Sequence, residues 1–296
     1  MLILRPISHD TVWGGEKLLP YSDRSTPRIG HLYSVLDGEG QSNTILNGAE
    51  AGKSFGQWFA ANKQRVNLGQ FDEFPLIIAL VEARENLSLQ VHPDDAMARE
   101  LENRPRGKME SFVFLEAPAD GTIAGCTVPT LAEVRERLER GEADSLAKRI
   151  PVRPGDYLFV EAGTMHALCA GSLVYEIEEN VPYTYRFYDW GRTGADGKPR
   201  PVQIDKGLRS LNPSLCGQAR PLSGRHTERS YSIELLEGVA EHRNDTASVE
   251  CLTVLDGSAE IDGVRLDIGM TAVLLPGESL RIAGLKVMLA RPVTGD

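Results

Sequence analysis

The longest apolar stretch in this chain of 296 residues is Phe74–Val81 (FPLIIALV), and the other apolar segments are shorter, cut by 29 glycines and 17 prolines. Short apolar runs bounded by turn-forming residues are the rhythm of an all-β sandwich or barrel. The same shortness excludes a bilayer-spanning helix, which needs about 20 consecutive apolar residues. Strands are predicted at Ile29–Leu36, Phe74–Glu82, Leu87–His92, Glu110–Glu116, Asp156–Val160, Leu173–Glu178 and Tyr183–Asp189. A second series follows at Ser230–Leu236, Glu250–Leu255, Thr271–Leu275, Leu280–Ile282 and Lys286–Ala290. Four helices are predicted: Ser54–Gln64, Asp94–Glu102 after Pro93, Thr130–Arg140 and Ile204–Leu211. In the third, Thr130 and Glu133 have capping-box spacing, and Leu131, Val134 and Leu138 share one face.

Two segments resemble each other. Arg153–Val160 (RPGDYLFV) and Leu266–Leu275 (LDIGMTAVLL) both read as glycine, strand, turn. His166 follows the first; no histidine follows the second. The pattern predicts two β units, with metal ligands only in the first. The boundary falls in the Pro-, Gly- and Ser-rich stretch 212–226, giving a larger unit over 1–215 and a smaller unit over 216–296.

A formal net charge of -10 argues against a nucleic-acid-binding face, which needs a basic footprint. The N-terminus is too short in apolar residues for a signal-peptide core, so a cytoplasmic protein with no membrane contact is expected. Cys126, Cys169, Cys216 and Cys251 show no C-x-x-C spacing, and the expectation is buried free thiols.

Strand alternation singles out the polar positions. In Asn86–Asp95 (NLSLQVHPDD), Leu87, Leu89 and Val91 fall on one face, and Ser88, Gln90 and His92 on the other. An imidazole with an amide oxygen is a reasonable ligand pair for a divalent cation. Lys108 and Glu110 share a face of the next strand, whose run Phe112–Leu115 implies burial, where an unpaired carboxylate is costly and a metal would satisfy it. His166 opens a strand after the turn Glu161–Thr164, as cupin barrels present a late histidine. Glu176 and Glu178 share a face, as do Thr184, Arg186 and Tyr188, and a hairpin through Glu179–Pro182 would make Glu176 and Arg186 neighbours. Arginine suits the grip of an oxyanion or phosphate. Taken singly, each group has an ordinary reading: Lys108 a surface lysine, Arg186 an ion-pair partner of Glu178 or Glu179, Tyr183, Tyr185 and Phe187 a core stripe.

Together these motifs resemble the type I phosphomannose isomerases, in their short bacterial form. The resemblance runs from Trp13-Gly14-Gly15 to about Arg192. It rests on Gln90-Val91-His92-Pro93-Asp94-Asp95, Gly107-Lys108-Met109-Glu110, Pro154-Gly155-Asp156 with Gly163-Thr164-Met165-His166-Ala167, and Tyr185-Arg186 ahead of Tyr188-Asp189. It implies a mainly β cupin (jelly-roll) barrel with a few inserted helices and a smaller cupin-like C-terminal unit. It also implies one zinc ion held by Gln90, His92, Glu110 and His166, with Lys108, Glu176 and Arg186 in the active site and Trp13 against the sugar. The implied reaction interconverts mannose 6-phosphate and fructose 6-phosphate through an enediol. One departure stands out: the family usually has Gly-Glu and then a Trp here, whereas this chain reads Gly30-His31-Leu32-Tyr33. His31 is thus a candidate substrate-binding residue, and also a candidate extra ligand.

Three other readings compete. One is an isomerase of a related aldose. Another is a catalytically impaired sugar-binding cupin. The third is an iron-dependent cupin dioxygenase, against which Gln90 and the Lys108 and Arg186 cations argue. The partner expected is a small sugar phosphate, on a monomer or homodimer.

Overall fold

The computed structural model describes residues 1–22, 28–38, 40–194 and 197–293. Residues 23–27, 39, 195–196 and 294–296, counted above within the two units, lie outside them. The strands that organise the molecule are β1 (Leu2–Arg5), β2 (Ile7–Gly15), β3 (Ile29–Val35), β4 (Leu76–Ala83), β5 (Leu89–Val91), β6 (Glu110–Glu116), β7 (Thr122–Cys126), β8 (Ala147–Ile150), β9 (Asp156–Val160), β10 (His166–Ala167), β11 (Ser172–Glu179), β12 (Tyr185–Tyr188) and β13 (Ala219–Pro221). The last part of the chain adds β14 (Tyr231–Glu237), β15 (Glu250–Asp256), β16 (Thr271–Leu274) and β17 (Lys286–Pro292).

The chain is mainly β and cupin-like. One seven-stranded sheet has the order β13-β9-β6-β11-β4-β3-β2, and a five-stranded sheet facing it has the order β8-β7-β10-β5-β12. Between them lies a core that includes Val81, Phe112, Phe114, Ala124, Leu158 and Val174. Alternation explains the split: Val174, Glu176 and Glu178 of β11 turn inward, while Tyr175 and Ile177 turn to the back of the sheet. That back face packs against helix α1 (Phe55–Asn62), through Phe55, Trp58 and Phe59, and against Tyr231, Ile233, Cys251 and Val273 of the third sheet. The third sheet contains β14, β17, β15, β16 and β1. Strand β1 pairs with β16, Leu2 opposite Val273, so the first strand of the chain lies among the last ones.

Helix starts follow their local chemistry. Ser54 caps α1 with a capping box through Gln57. Asp94 caps α2 (Asp95–Glu102), its Oδ1 accepting from the Met97 amide at 2.8 Å, which places Pro93 just before the cap instead of in the first turn. Thr130 caps α3 (Leu131–Glu139), which buries Val134 but leaves Leu131 44% exposed, so the apolar face is narrower than its spacing suggests. Helix α4 spans Ile204–Ser210. Among the described residues, no helix is long and apolar enough to cross a membrane.

Two expectations are corrected here. β11 and β12 form no hairpin: β11 lies between β6 and β4, whereas β12 pairs with β5 in the opposite sheet. The residues between them cross from one sheet to the other, so Glu176 and Arg186 face a common space from opposing walls. And three of the four free cysteines are buried, but Cys216 is exposed.

Candidate metal centre and active site

His92, Glu110 and His166 converge in the interior, each 2% exposed. Glu110 comes from the first residue of β6, His166 from β10, and His92 from the residue just after β5. Their ligand atoms lie within 4.8 Å of one another. His92 Nε2 is 3.0 Å from Glu110 Oε2, and His166 Nε2 is 3.0 Å from Glu110 Oε1. The other ring nitrogens settle the tautomers. His92 Nδ1 is 2.8 Å from the Tyr183 carbonyl and His166 Nδ1 is 2.9 Å from the Thr164 carbonyl. A carbonyl only accepts, so Nδ1 holds the hydrogen and Nε2 turns its lone pair toward Glu110. Burial lowers the His92 pKa to about 4, which keeps a second proton off the ring. Glu110 Oε1 has no hydrogen-bond donor although it is buried. Two imidazoles and a carboxylate that meet at one point, each ring tied through Nδ1 to a backbone carbonyl, fit a cation.

Gln90 sits at the edge of this cluster. Its Nε2 is 3.2 Å from His166 Nε2, and its Oε1 accepts from Ser88 Oγ at 2.9 Å. Among the described residues, Glu110, Glu176 and Glu178 make a second acidic group close enough to hold a metal ion.

A cavity of about 850 Å³ opens beside the cluster. Gln90, Glu110, Lys108, Glu176, Arg186 and Trp13 all line it, and so does His31. His92 and His166 stand behind this lining. Lys108 is buried and forms a short ion pair with Glu178, with Glu110 Oε2 at 3.8 Å. Burial opposes its charge, but Glu178, Glu110 and Glu176 outweigh that and hold the ammonium above the ordinary lysine range. Glu176 lies in the opposite condition. Burial, then the charges of Glu178 and Glu110, raise its carboxyl well above the usual range against the pull of Lys108. Burial also raises Glu178, to about 7, despite Lys108.

Arg186 lies opposite Gln90 in the β12–β5 pairing. Its Nε is buried without a hydrogen-bond partner. Trp13 is 5% exposed and belongs to the core between the sheets as well as to the cavity wall. His31 stacks on Tyr33 with ring centroids 5.0 Å apart and meets Trp13 edge-on at 5.1 Å. It faces Glu176 and stands apart from the His92–Glu110–His166 group.

The structure thus brings Trp13, His31, Gln90, Lys108, Glu110, Glu176 and Arg186 to one cavity, with His92 and His166 grouped around Glu110. Glu178 was not among them as a site residue. Its signal was present, since it shares the inward face of β11 with Glu176, but nothing local marks it as the partner of Lys108.

A cupin-like double sheet enclosing a polar cavity, with a buried His/Glu group able to hold a metal ion, defines the class of protein. No family model matches the chain. Curated relatives do. It is 35% identical over 210 residues to GmuF of Bacillus subtilis, described as a probable mannose-6-phosphate isomerase, covering 70% of this chain and 67% of that one. It is 30% identical over 236 residues to the mannose-6-phosphate isomerase ManA of Bacillus subtilis, covering 79% and 73%. The crystal structure of the mannose 6-phosphate isomerase from Bacillus subtilis superimposes with a TM-score of 0.85 at 25% identity, over 98% of this chain and 99% of that one. The chain belongs to the mannose-6-phosphate isomerase family.

Proposed function

We propose that this protein is a metal-dependent mannose-6-phosphate isomerase, interconverting mannose 6-phosphate and fructose 6-phosphate with one zinc ion per chain. His92, Glu110 and His166 hold the ion, and Gln90 completes the set by turning its amide oxygen inward. Three nitrogen and oxygen ligands plus an amide suit zinc. When bound, the ion polarises the sugar carbonyl and stabilises negative charge on the enediolate oxygen.

The remaining chemistry belongs to side chains. Glu176 takes the proton from C2 of the open-chain aldose and returns it to C1, while the hydroxyl proton passes from O2 to O1. A carboxyl held above the usual carboxylate range keeps an abstracted proton long enough to give it back. Lys108, kept charged by its acidic neighbours, and Arg186, on the opposing wall, stabilise the anionic oxygens of the enediolate or the phosphate. Trp13 and His31 shape the wall against which the sugar packs. The observation that carries the reading is the meeting of Lys108, Glu176 and Arg186 in a cavity that borders the His92–Glu110–His166 group.

His31 presents an imidazole where the family resemblance leads one to expect a carboxylate, but the mannose-6-phosphate isomerase relatives do not favour the related-aldose reading. The wider reading is of a cytoplasmic enzyme acting as a monomer or homodimer, with its catalytic unit in residues 1–215 and a smaller unit over 216–296. The test is formation of fructose 6-phosphate from mannose 6-phosphate in a coupled assay, before chelation, after it and after zinc return. Turnover that is lost and then regained is expected. No turnover by the zinc-loaded protein would overturn the substrate assignment.

A further inference from the structure

The segment Gly107-Lys108-Met109 carries the cavity lysine and leads into Glu110. Each of its three backbone amides is held. Gly107 donates to Asp95 Oδ1 at 2.9 Å, Lys108 to the Pro93 carbonyl at 3.0 Å, and Met109 to Glu179 Oε2 at 3.0 Å. Two of these three acceptors are carboxylates, and one guanidinium joins them. Arg229 Nη1 donates to Asp95 Oδ2 at 3.0 Å, and its Nη2 donates to Glu179 Oε1 at 2.8 Å. Glu179 is 3% exposed, and its Oε1 also accepts from Ser230 Oγ in a short hydrogen bond. Arg229 and Ser230 precede β14, a strand of the third sheet.

We propose that Arg229 is a positioning residue for the isomerase reaction: by bridging Asp95 and Glu179 it sets the backbone of Gly107–Met109, and so the place of Lys108. The proposal rests on the isomerase reading above. It gives the C-terminal part of the chain a task in catalysis without a ligand or reacting group of its own. A planar guanidinium is suited to the bridge because it can address two carboxylates along fixed directions. A buried carboxylate left without its cation would draw away from the Met109 amide toward water, and that change loosens the segment. Arg229 does not line the cavity, and its partners Asp95 and Glu179 lie outside the His92–Glu110–His166 group, so its effect passes through the backbone they hold.

The experiment compares the zinc-loaded wild type with Arg229→Met and Arg229→Lys. It reads kcat and KM for mannose 6-phosphate, bound zinc per chain, and amide hydrogen exchange at Gly107 and Met109. Arg229→Met is expected to lower kcat about tenfold or more, as loss of a supporting contact typically does, with KM within about twofold and zinc unchanged. Exchange at both amides should rise. Arg229→Lys should recover part of kcat, because an ammonium can still neutralise Glu179. Should Arg229→Met fail to fold, Asp95→Asn keeps an acceptor for the Gly107 amide while removing the charge that holds Arg229, and a lower kcat with faster Met109 exchange is again expected. Unchanged exchange at Gly107 and Met109, or an unchanged kcat in a variant whose exchange has risen, would overturn the proposal. The exchange measurement needs no turnover, so inactivity of the wild type toward mannose 6-phosphate would count against the isomerase reading separately.

Discussion

His31 Nε2 lies 3.8 Å from Glu176 Oε2, and burial strips the positive charge from this contact. Desolvation, followed by the nearby His9 and Lys108, lowers the His31 pKa to about 3. The ring is therefore neutral at working pH and meets Glu176 as a dipole. An unfolded chain would protonate this histidine below about 6.5, while the folded protein resists until about 3. Acidification through that window therefore favours unfolding, by an amount on the order of a few kcal/mol when complete, and the penalty is absent above pH 6.5. His31→Gln keeps a neutral polar group there and removes the proton uptake. Urea titrations should show wild-type stability falling more steeply than that of His31→Gln between pH 6.5 and 4, with the two differing by a constant at pH 7.5 and above. Parallel profiles across the whole range would contradict the neutral assignment. Turnover of His31→Gln should stay within about threefold of wild type, since no charge is lost.

The two Nε2 atoms and the Glu110 carboxylate lie close enough together to share one metal ion. Ion binding should then stabilise the fold by mass action, about 2.7 kcal/mol when free metal is a hundred times its dissociation constant. A clear rise in Tm on adding zinc to chelated protein is expected. Glu110→Gln should abolish that rise and lower turnover at least a hundredfold. A full thermal response in Glu110→Gln would place the ion elsewhere, with Glu176 and Glu178 the next acidic group to examine.

How much of this was legible in the sequence follows from the range of the interactions. Strand limits at Glu110–Glu116 and Asp156–Val160 agree with the structure residue for residue, because alternation and flanking glycines are local signals. Gln90, Glu110, Glu176 and Arg186 were legible as inward positions for the same reason. Strands β1 and β2 were not, because Arg5-Pro6 interrupts the apolar pattern and β1 gains its pairing from Thr271–Val273, at the far end of the chain. The bridge at Arg229 left no trace either. It joins residues 134 and 50 positions away, and nothing in the neighbourhood of Arg229 announces them.

Gly107 offers a test of the packing behind the lysine. A Cβ built there would stand 2.2 Å from the Pro93 carbonyl oxygen and 2.4 Å from the Asp94 carbonyl carbon. Both are backbone atoms and cannot swing aside as a flexible side chain would. Gly107→Ala should therefore cost about 1–3 kcal/mol through overpacking. That corresponds to a Tm lower by several degrees, at roughly 2–4 °C per kcal/mol for a domain of this order. Because the strained backbone leads directly to Lys108, kcat should fall as well. An alanine variant with wild-type Tm and kcat would show that the turn yields freely.

Lys108 and Glu178 allow stability to be separated from catalysis. Lys108→Met leaves Glu178 buried with no cation, and breaking a buried pair in this way costs about 3–5 kcal/mol. Glu178 already sits near pKa 7 with the lysine present, raised by burial against the pull of Lys108. Without the lysine it should rise further and be protonated over much of the neutral range. A folded-state carboxyl pKa above its unfolded value penalises folding as pH rises, so the deficit of Lys108→Met should grow from pH 6 to pH 9 and shrink on acidification. Adding Glu178→Leu removes the stranded charge, and the double variant should regain most of the lost stability and lose the pH trend. Its turnover should remain as low as that of Lys108→Met, because the ammonium facing the cavity is still missing. Double-variant turnover restored together with stability would mean that Lys108 serves the fold alone.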